Sequence, residues 1–405
     1  MKSIIDSILR KEVQDFIHAH EHDDVQKLLL KQKTLFGVPT EWIANQISGR
    51  RKSQTRLSDW YKTGGIIYPH ILNLEQSSSQ ATAQFKRNLV QETLGIPRAI
   101  SSGCDLTGGF GIDGYYLSLC AKRLDYIETN EALTEIAKHN HNMLGAKNIQ
   151  YHNTMAELFL SDVAEKFDFL FLDPSRRKAH QKIYKLSDSS PDIVSLLPQL
   201  LVKAEVVLLK TSPLFDIQQG CRELKNVNEV VVVAVENECK ELLFLLKKDF
   251  SVAPVIRAVD LRKNGEINNS VSFRFEDEKS AIADFGSPLT YLYEPNVAIL
   301  KAGAFKWIAR QYRLKKMAPS THLYTSEKIL DDFPGRIFKI TDQVKPDKKL
   351  KDRFTNGYAN IIARNYPLSV AEIKKKTGLK EGGDQYLIGT QTEKEKLLLM
   401  AERVK

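Results

Sequence analysis

Asp105-Leu106-Thr107-Gly108-Gly109-Phe110-Gly111-Ile112-Asp113 closes an apolar run that starts near Ala99 and opens a periodic segment reaching about Leu119. Three glycines in four positions let a backbone turn sharply and approach a ligand with no Cβ in the way. Between a strand and a helix, such a bend is where α/β folds hold nucleotides. In dinucleotide-binding sequences the pattern is G-x-G-x-x-G, which aims a helix N-terminus at a pyrophosphate. Here the third glycine is missing and an acidic residue begins the turn. Asp105 suits a cationic amino group better than a phosphate, which makes a dehydrogenase the poorest fit. A tight strand-helix turn without a ligand remains the competing reading of the glycines alone.

Outward from this loop, Tyr126-Ile127-Glu128 ends a second apolar run about twenty residues on, where an acidic side chain can chelate ribose hydroxyls. Alone, Glu128 would read equally well as a solvated carboxylate at a helix start; coupled to the loop it reads as a ribose ligand. Short apolar runs then alternate with longer helical periods, the signature of β-α-β units and a parallel sheet. Strands are expected at 99–106, 123–128, 149–152, 167–172, 206–210, 230–235 and 242–246. The last two flank Glu236-Asn237-Glu238 as an antiparallel edge hairpin. Strands at 255–261 and 270–275 flank Lys263-Asn264-Gly265-Glu266 as a further hairpin, a helix is expected over about 295–312, and Ser369 reads as the N-cap of a helix ended by Gly378. Upstream, residues 1–95 read as helices without a strand, with Thr40 as an N-cap ahead of Trp42, Ile43 and Ile47. Within them, residues 49–61 place four basic residues beside Trp60 and Tyr61: a nucleic-acid contact, or a solvated helix face with two core aromatics.

The fourth run ends in Phe171-Leu172-Asp173-Pro174-Ser175-Arg176-Arg177. With the loop and Glu128, this resembles the class I S-adenosylmethionine-dependent methyltransferases over about residues 96–250. The resemblance implies a seven-stranded Rossmann-like sheet and S-adenosylmethionine as cofactor, held by Asp105, Thr107, Gly108, Gly109, Gly111, Glu128, Met155 and Ala156. Met155 stands where the superfamily often has an Asp for the adenine amine, leaving backbone N–H groups and an apolar side chain for that contact. Enzymes that methylate amino groups commonly carry [DN]-P-P-[YFW] after strand four. Asp173 and Pro174 match it and Ser175 and Arg176 depart from it, so these four are the catalytic candidates and a base nitrogen the implied target. Methyl transfer needs positioning and desolvation more than acid-base chemistry, and His139, His141, His152 and His180 read as structural. Arg176 and Arg177 suit either a substrate phosphate or Asp188 and Asp192.

L-E-Q-S-S-S at 74–79, D-P-S-R-R at 173–177, S-D-S-S-P-D-I-V at 187–194, L-K-T-S-P-L-F-D-I at 209–217 and N-E-C-K-E-L at 237–242 together resemble a bacterial family of methyltransferases with a THUMP-like C-terminal domain. That likeness spans nearly the whole chain and implies a division into an N-terminal helical domain at 1–95, a catalytic domain at 96–282, a small ferredoxin-like segment at 283–333 and a THUMP-like RNA-binding domain at 334–405, the last two as small α+β units. THUMP domains bind structured RNA, so tRNA or rRNA is the implied partner. Arg364, Lys374, Lys375, Lys376 and Lys380 are candidate phosphate contacts, a solvated basic helix being the alternative.

Charge distribution agrees with a polyanionic partner at one end. Residues 301–405 hold 23 Lys and Arg against 12 Asp and Glu, whereas the first 300 residues are nearly neutral. The 4 cysteines are scattered without zinc spacing, so no metal site is expected. No apolar run is long enough for a membrane helix and the first residues lack an export signal, which predicts a cytoplasmic protein. A methyltransferase for small molecules or proteins, and a noncatalytic RNA binder with a vestigial cofactor site, are the other function classes the pattern leaves open.

Overall fold

The computed structural model describes residues 1–95, 97, 99–176 and 185–405, the side chains of Lys31 and Arg176 apart. The chain divides into two compact units, one holding 1–236, 240–254 and 261–267 and the other 237–239, 255–260 and 268–405.

In the first unit, short helices at the N-terminus bury Ile8, Val13, Ile17, Ile43, Ile47 and Trp60 in one core that also takes Phe110, Ile112 and Tyr116 from the glycine-loop region. The helix expected after Thr40 begins with it, over Thr40–Arg56, and Pro39 sits at the cap position. Thr40 does not cap: its hydroxyl donates to Gln32 O at 2.7 Å, drawing the side chain back toward the preceding segment. A two-residue ladder of Thr34–Leu35 with Val38–Pro39 interrupts what the sequence suggested was wholly helical. In the basic stretch at 49–61, Arg50 pairs with Glu21 at 2.8 Å, Lys52 is exposed and Trp60 is fully buried.

The main sheet contains β1 (Ile100–Asp105), β2 (Ala121–Ile127), β3 (Ile149–His152), β4 (Phe167–Leu172), β5 (Ala204–Thr211), β6 (Val227–Val235), β7 (Glu238–Leu246), β8 (Val255–Leu261) and β9 (Ile267–Phe273). Their order is β9-β8-β6-β7-β5-β4-β1-β2-β3, so the sheet has nine strands rather than the seven expected. The hairpin β8–β9, announced by Lys263-Asn264-Gly265-Glu266, extends the sheet beyond β6, a membership that the turn signal alone could not fix. β1 to β5 pair in parallel and β7 runs antiparallel to β5, with Phe244 opposite Leu209. β4 and β5 are buried along nearly their whole lengths, as strands covered on both faces must be. Glu236 and Asn237 both take positive φ, the backbone a two-residue hairpin turn requires.

The second unit centres on a seven-stranded sheet: β10 (Tyr291–Pro295), β11 (Lys315–Ala318), β12 (Thr321–Ser326), β13 (Gly335–Val344), β14 (Tyr358–Ala363), β15 (Lys380–Gln391) and β16 (Lys396–Arg403), in the order β11-β12-β10-β13-β16-β15-β14. Along β16, Leu397, Leu399 and Ala401 enter one core while Leu398 and Met400 enter another, the alternation of a strand covered on both faces. Between the parallel pair β14 and β15 lies helix Val370–Thr377, started by the capping box of Ser369 and Glu372 and stopped by Gly378 at φ +75°. The single helix expected over 295–312 is two, Val297–Ala302 and Lys306–Gln311, because Gly303 at φ +83° ends the first.

Candidate active site

The glycine loop is shaped by what lies beneath it. Gly108 donates to Ile127 O at 2.8 Å, and a Cβ there would fall 2.2 Å from the Tyr126 ring. Tyr126 in turn donates its hydroxyl to Gly109 O at 2.7 Å. Gly111 has φ +91°, and its carbonyl rests 2.8 Å from His141 Nε2. Burial lowers His141 to about 4, so the imidazole is neutral; Nε2–H donates to the loop and Nδ1 accepts from the Tyr151 hydroxyl at 2.9 Å. His141 is thus structural, as are His139 on Gly65 O and His152 on Asp125.

Asp105 is completely buried below the loop and does not line the cleft. Its Oδ1 accepts from Thr107 N at 3.1 Å while Oδ2 has no partner. Burial pushes its carboxyl well above the usual range, and the nearby carboxylates of Asp113, Asp173 and Glu128 add to that. The side chain that the sequence pointed at a ligand therefore braces the loop from beneath.

Above the loop opens a cleft of about 1220 Å³. Thr107, Gly108, Gly109, Gly111, Glu128, Met155 and Ala156 all line it. Glu128 is tied to the loop, accepting from Gly109 N at 2.8 Å through Oε2 and from Asn130 N at 2.8 Å through Oε1. Met155 caps helix Ala156–Asp162 and is half exposed, presenting thioether rather than carboxylate. On the same cleft stand Asp173, Pro174 and Ser175. Thr107 joins the two halves, its hydroxyl accepting from Asp173 N at 2.6 Å. Backbone pairing of Ser175–Arg176 with Ser189–Ser190 fixes the segment after Pro174. The Arg176 side chain, Arg177 and His180 lie outside the described residues.

Sequence reasoning missed the cleft floor. Lys210, near the end of β5, places its ammonium 2.5 Å from Asp173 Oδ2, 3.3 Å from Ser78 Oγ and 4.0 Å from Asp113 Oδ2. Lys86, on helix Gln80–Leu94 and fully buried, contacts Glu241 of β7 at 2.7 and 2.9 Å, Asp113 at 3.1 Å and Ser78 at 3.1 Å. Burial disfavours charge on Lys210, but Asp173, Asp113 and Glu241 outweigh it and the ammonium is held above its ordinary range. Asp113 is likewise pulled down by Lys86 and Lys210 despite burial, whereas burial prevails at Glu241 and raises it. Ser78, Lys210 and Glu241 each sit in one of the quoted motifs, so those segments were signals for this cluster; Lys86 had none.

Of the five basic candidates in the second unit, Arg364 bonds Glu294 Oε1 at 2.7 Å and Lys374 pairs with Glu381 at 2.7 Å. Lys375, Lys376 and Lys380 are exposed, the last lying over the Tyr358 ring at 5.8 Å. Among the described residues no group of His, Cys, Asp and Glu could hold a metal ion, and no helix is long and apolar enough to cross a membrane.

The strand order and the loop-carboxylate cleft define a Rossmann-like class I methyltransferase fold. Residues 291–334 match the family model of a ferredoxin-like domain and 335–403 that of a THUMP domain-like segment. Over its full length the chain is similar to a provisionally assigned methyltransferase from Porphyromonas gingivalis W83, with TM-score 0.85, 29% identity and coverage of 100% of this chain and 99% of that one. An rRNA methylase from Streptococcus thermophilus matches with TM-score 0.30 and 15% identity over 40% of this chain and 94% of its own. A provisionally assigned methyltransferase from Streptococcus mutans, in complex with SAH, matches with TM-score 0.29 and 14% identity over 40% of this chain and 96% of its own. A comparison with curated proteins found no match.

Proposed function

We propose that the protein is an S-adenosylmethionine-dependent methyltransferase acting on structured RNA, tRNA or rRNA, with the cleft as its active site and the THUMP-like segment as its RNA-binding part. In this reading catalysis belongs to residues 96–282, RNA affinity to 334–405, and 1–95 and 283–333 are accessory domains. One observation carries it: a single loop bonds both sides of the cleft, Gly109 N–H donating to the Glu128 carboxylate and Thr107 Oγ1 accepting from Asp173 N, so that the glycine loop, the ribose carboxylate and the acceptor segment are tied together.

The residues present fit the cofactor. A side chain at 108 or 111 would collide with Tyr126 or His141, so the loop can only be backbone, as close approach to a ligand requires. Glu128 offers carboxylate oxygens for ribose hydroxyls, while Met155 and the helix start at Ala156 offer an apolar edge and an N–H for a purine. Once bound, S-adenosylmethionine supplies an activated methyl group on a sulfonium. What the chain contributes is orientation and exclusion of water: Pro174 is buried and stiffens the exit from β4 so that Asp173 faces the cleft.

The RNA assignment draws on the THUMP-like match and the basic surplus of 301–405. Calorimetry with S-adenosylhomocysteine should give a saturable heat that Glu128→Ala weakens at least about tenfold, the equivalent of one lost charged hydrogen-bond set. Changing Lys374, Lys375 and Lys376 to Glu should weaken RNA binding and flatten its salt dependence by up to about 0.7–0.9 log units per lost phosphate contact, with cofactor affinity unchanged. Cofactor affinity that ignores Glu128 removes the site assignment, and RNA affinity that ignores the lysines removes the anchor.

A further inference from the structure

Asp173 and Pro174 by themselves suggest an amine acceptor, whose N–H groups a carboxylate and a carbonyl would receive. The side chains around Asp173 argue for a different atom. Its Oδ2 is occupied by the Lys210 ammonium at 2.5 Å, and Lys210 itself lines the cleft. Asp113, at a helix start, lies 4.0 Å from that ammonium and is itself paired with the buried Lys86 of the helix preceding β1, which also holds Glu241 of the antiparallel strand β7. An isolated structural ion pair would not need Lys210 to line the cleft.

We infer that the atom methylated is a hydroxyl oxygen, the 2′-hydroxyl of an RNA ribose, with Asp173 and Lys210 as the catalytic pair. The inference rests on the methyltransferase reading above. A nitrogen acceptor gains positive charge as it attacks, so a fixed ammonium beside it opposes the reaction. A hydroxyl has the opposite need: it is a weak nucleophile until its proton leaves, and its oxygen then carries negative charge that a cation stabilises. In the transfer, a hydroxyl lone pair forms the oxygen–methyl bond as the sulfur–methyl bond of S-adenosylmethionine breaks, its electron pair staying on sulfur. The hydroxyl proton passes to the Asp173 carboxylate and from there to water. Lys210 donates to the oxygen throughout and ends with the protons it began with. The 2′-hydroxyl is the group that every ribonucleotide carries and that distinguishes RNA from DNA.

The full chain is incubated with methyl-tritiated S-adenosylmethionine and total RNA from a host deleted for the gene, and the RNA is then hydrolysed in alkali. Label is expected in alkali-stable dinucleotides, because a 2′-O-methyl group blocks cleavage of the adjacent linkage. Label released in a methylated base overturns this inference and leaves the methyltransferase reading standing; no label in RNA overturns that reading and this inference with it. Asp173→Asn separates the two acceptors in the chain itself. An amide oxygen accepts an amine N–H nearly as well as a carboxylate but cannot take a hydroxyl proton, so transfer should fall at least about 100-fold while the calorimetric affinity for S-adenosylhomocysteine stays within about threefold. A loss below about tenfold would refute the role of Asp173 as base. Lys210→Met should lose about 100- to 1000-fold on the same criterion, and unchanged transfer would refute its role.

Discussion

Lys86→Met tests the charged floor most directly. The ammonium is fully buried and meets Glu241 at 2.7 and 2.9 Å and Asp113 and Ser78 at 3.1 Å each, so its loss strands two carboxylates that are themselves almost wholly inaccessible. Lys210 remains near, and it approaches Asp113 no closer than 4.0 Å. Breaking a buried pair by removing one partner costs about 3–5 kcal/mol, because desolvation of the orphaned charge is then uncompensated. Urea unfolding in a Trp307→Phe background reports this unit through Trp42 and Trp60 and should show that loss. Adding Glu241→Gln to Lys86→Met should restore part of it, giving a coupling of about 1–3 kcal/mol. The deficit also has a direction with pH. Burial already raises Glu241 above its ordinary value of 4.5, so its contribution to stability is fully present below that value and is lost as pH rises through the folded one. Without Lys86 that rise is larger, and Lys86→Met should be further below wild type at pH 8 than at pH 5. A single-variant cost under about 1 kcal/mol, or strict additivity with Glu241→Gln, would show that the cluster does not hold these elements together.

Asp105→Asn should stabilise the protein increasingly with pH. The buried carboxyl is raised well above its ordinary 3.8, so wild type loses stability as pH climbs from there toward the folded value, by up to about 1.4 kcal/mol per pH unit, while an amide loses none and keeps the bond from Thr107. Melting temperatures at pH 5, 6.5 and 8 with a constant difference would contradict the burial argument. Gly111→Ala should reduce cofactor affinity at least about tenfold, since φ is +91° and the new Cβ would sit 2.6 Å from His141 Nε2. Gly145→Ala, at φ +84° with nothing within 4 Å, is the control, and equal calorimetric affinities for the two variants would refute a shape requirement at the loop.

What the sequence made legible follows from range. Residues 169–172 of β4 and 206–209 of β5 are short uninterrupted apolar runs, the pattern of a strand covered on both faces, and the N-cap at Ser369 needs nothing outside its own turn. The ninth strand was visible as half of a hairpin, yet β9 is mostly exposed, and a polar strand carries no record of the sheet it joins. The helix over 295–312 broke at Gly303 because periodicity continues across a residue that the backbone does not.

Lys86 marks the limit of local reading. On an amphipathic helix a lysine reads as a solvated face, and the partner that makes it internal, Glu241, lies 155 residues away. Yet the ingredients were present: Asp113 ends the glycine-loop stretch, and Ser78, Lys210 and Glu241 each fall inside a short quoted motif. These segments, unrelated in period and remote in the chain, meet at the ammonium groups of Lys86 and Lys210, the second of which reaches Asp173 Oδ2. Asp173 is thereby fixed from two sides, by the loop through its backbone N–H and by the floor through Oδ2. A methyl donor held by the first contact and an acceptor held by the second would share one residue, and under the proposed transfer the buried charges would belong to the reaction's geometry, a reason for two lysines in a site that stability alone would have filled with apolar side chains.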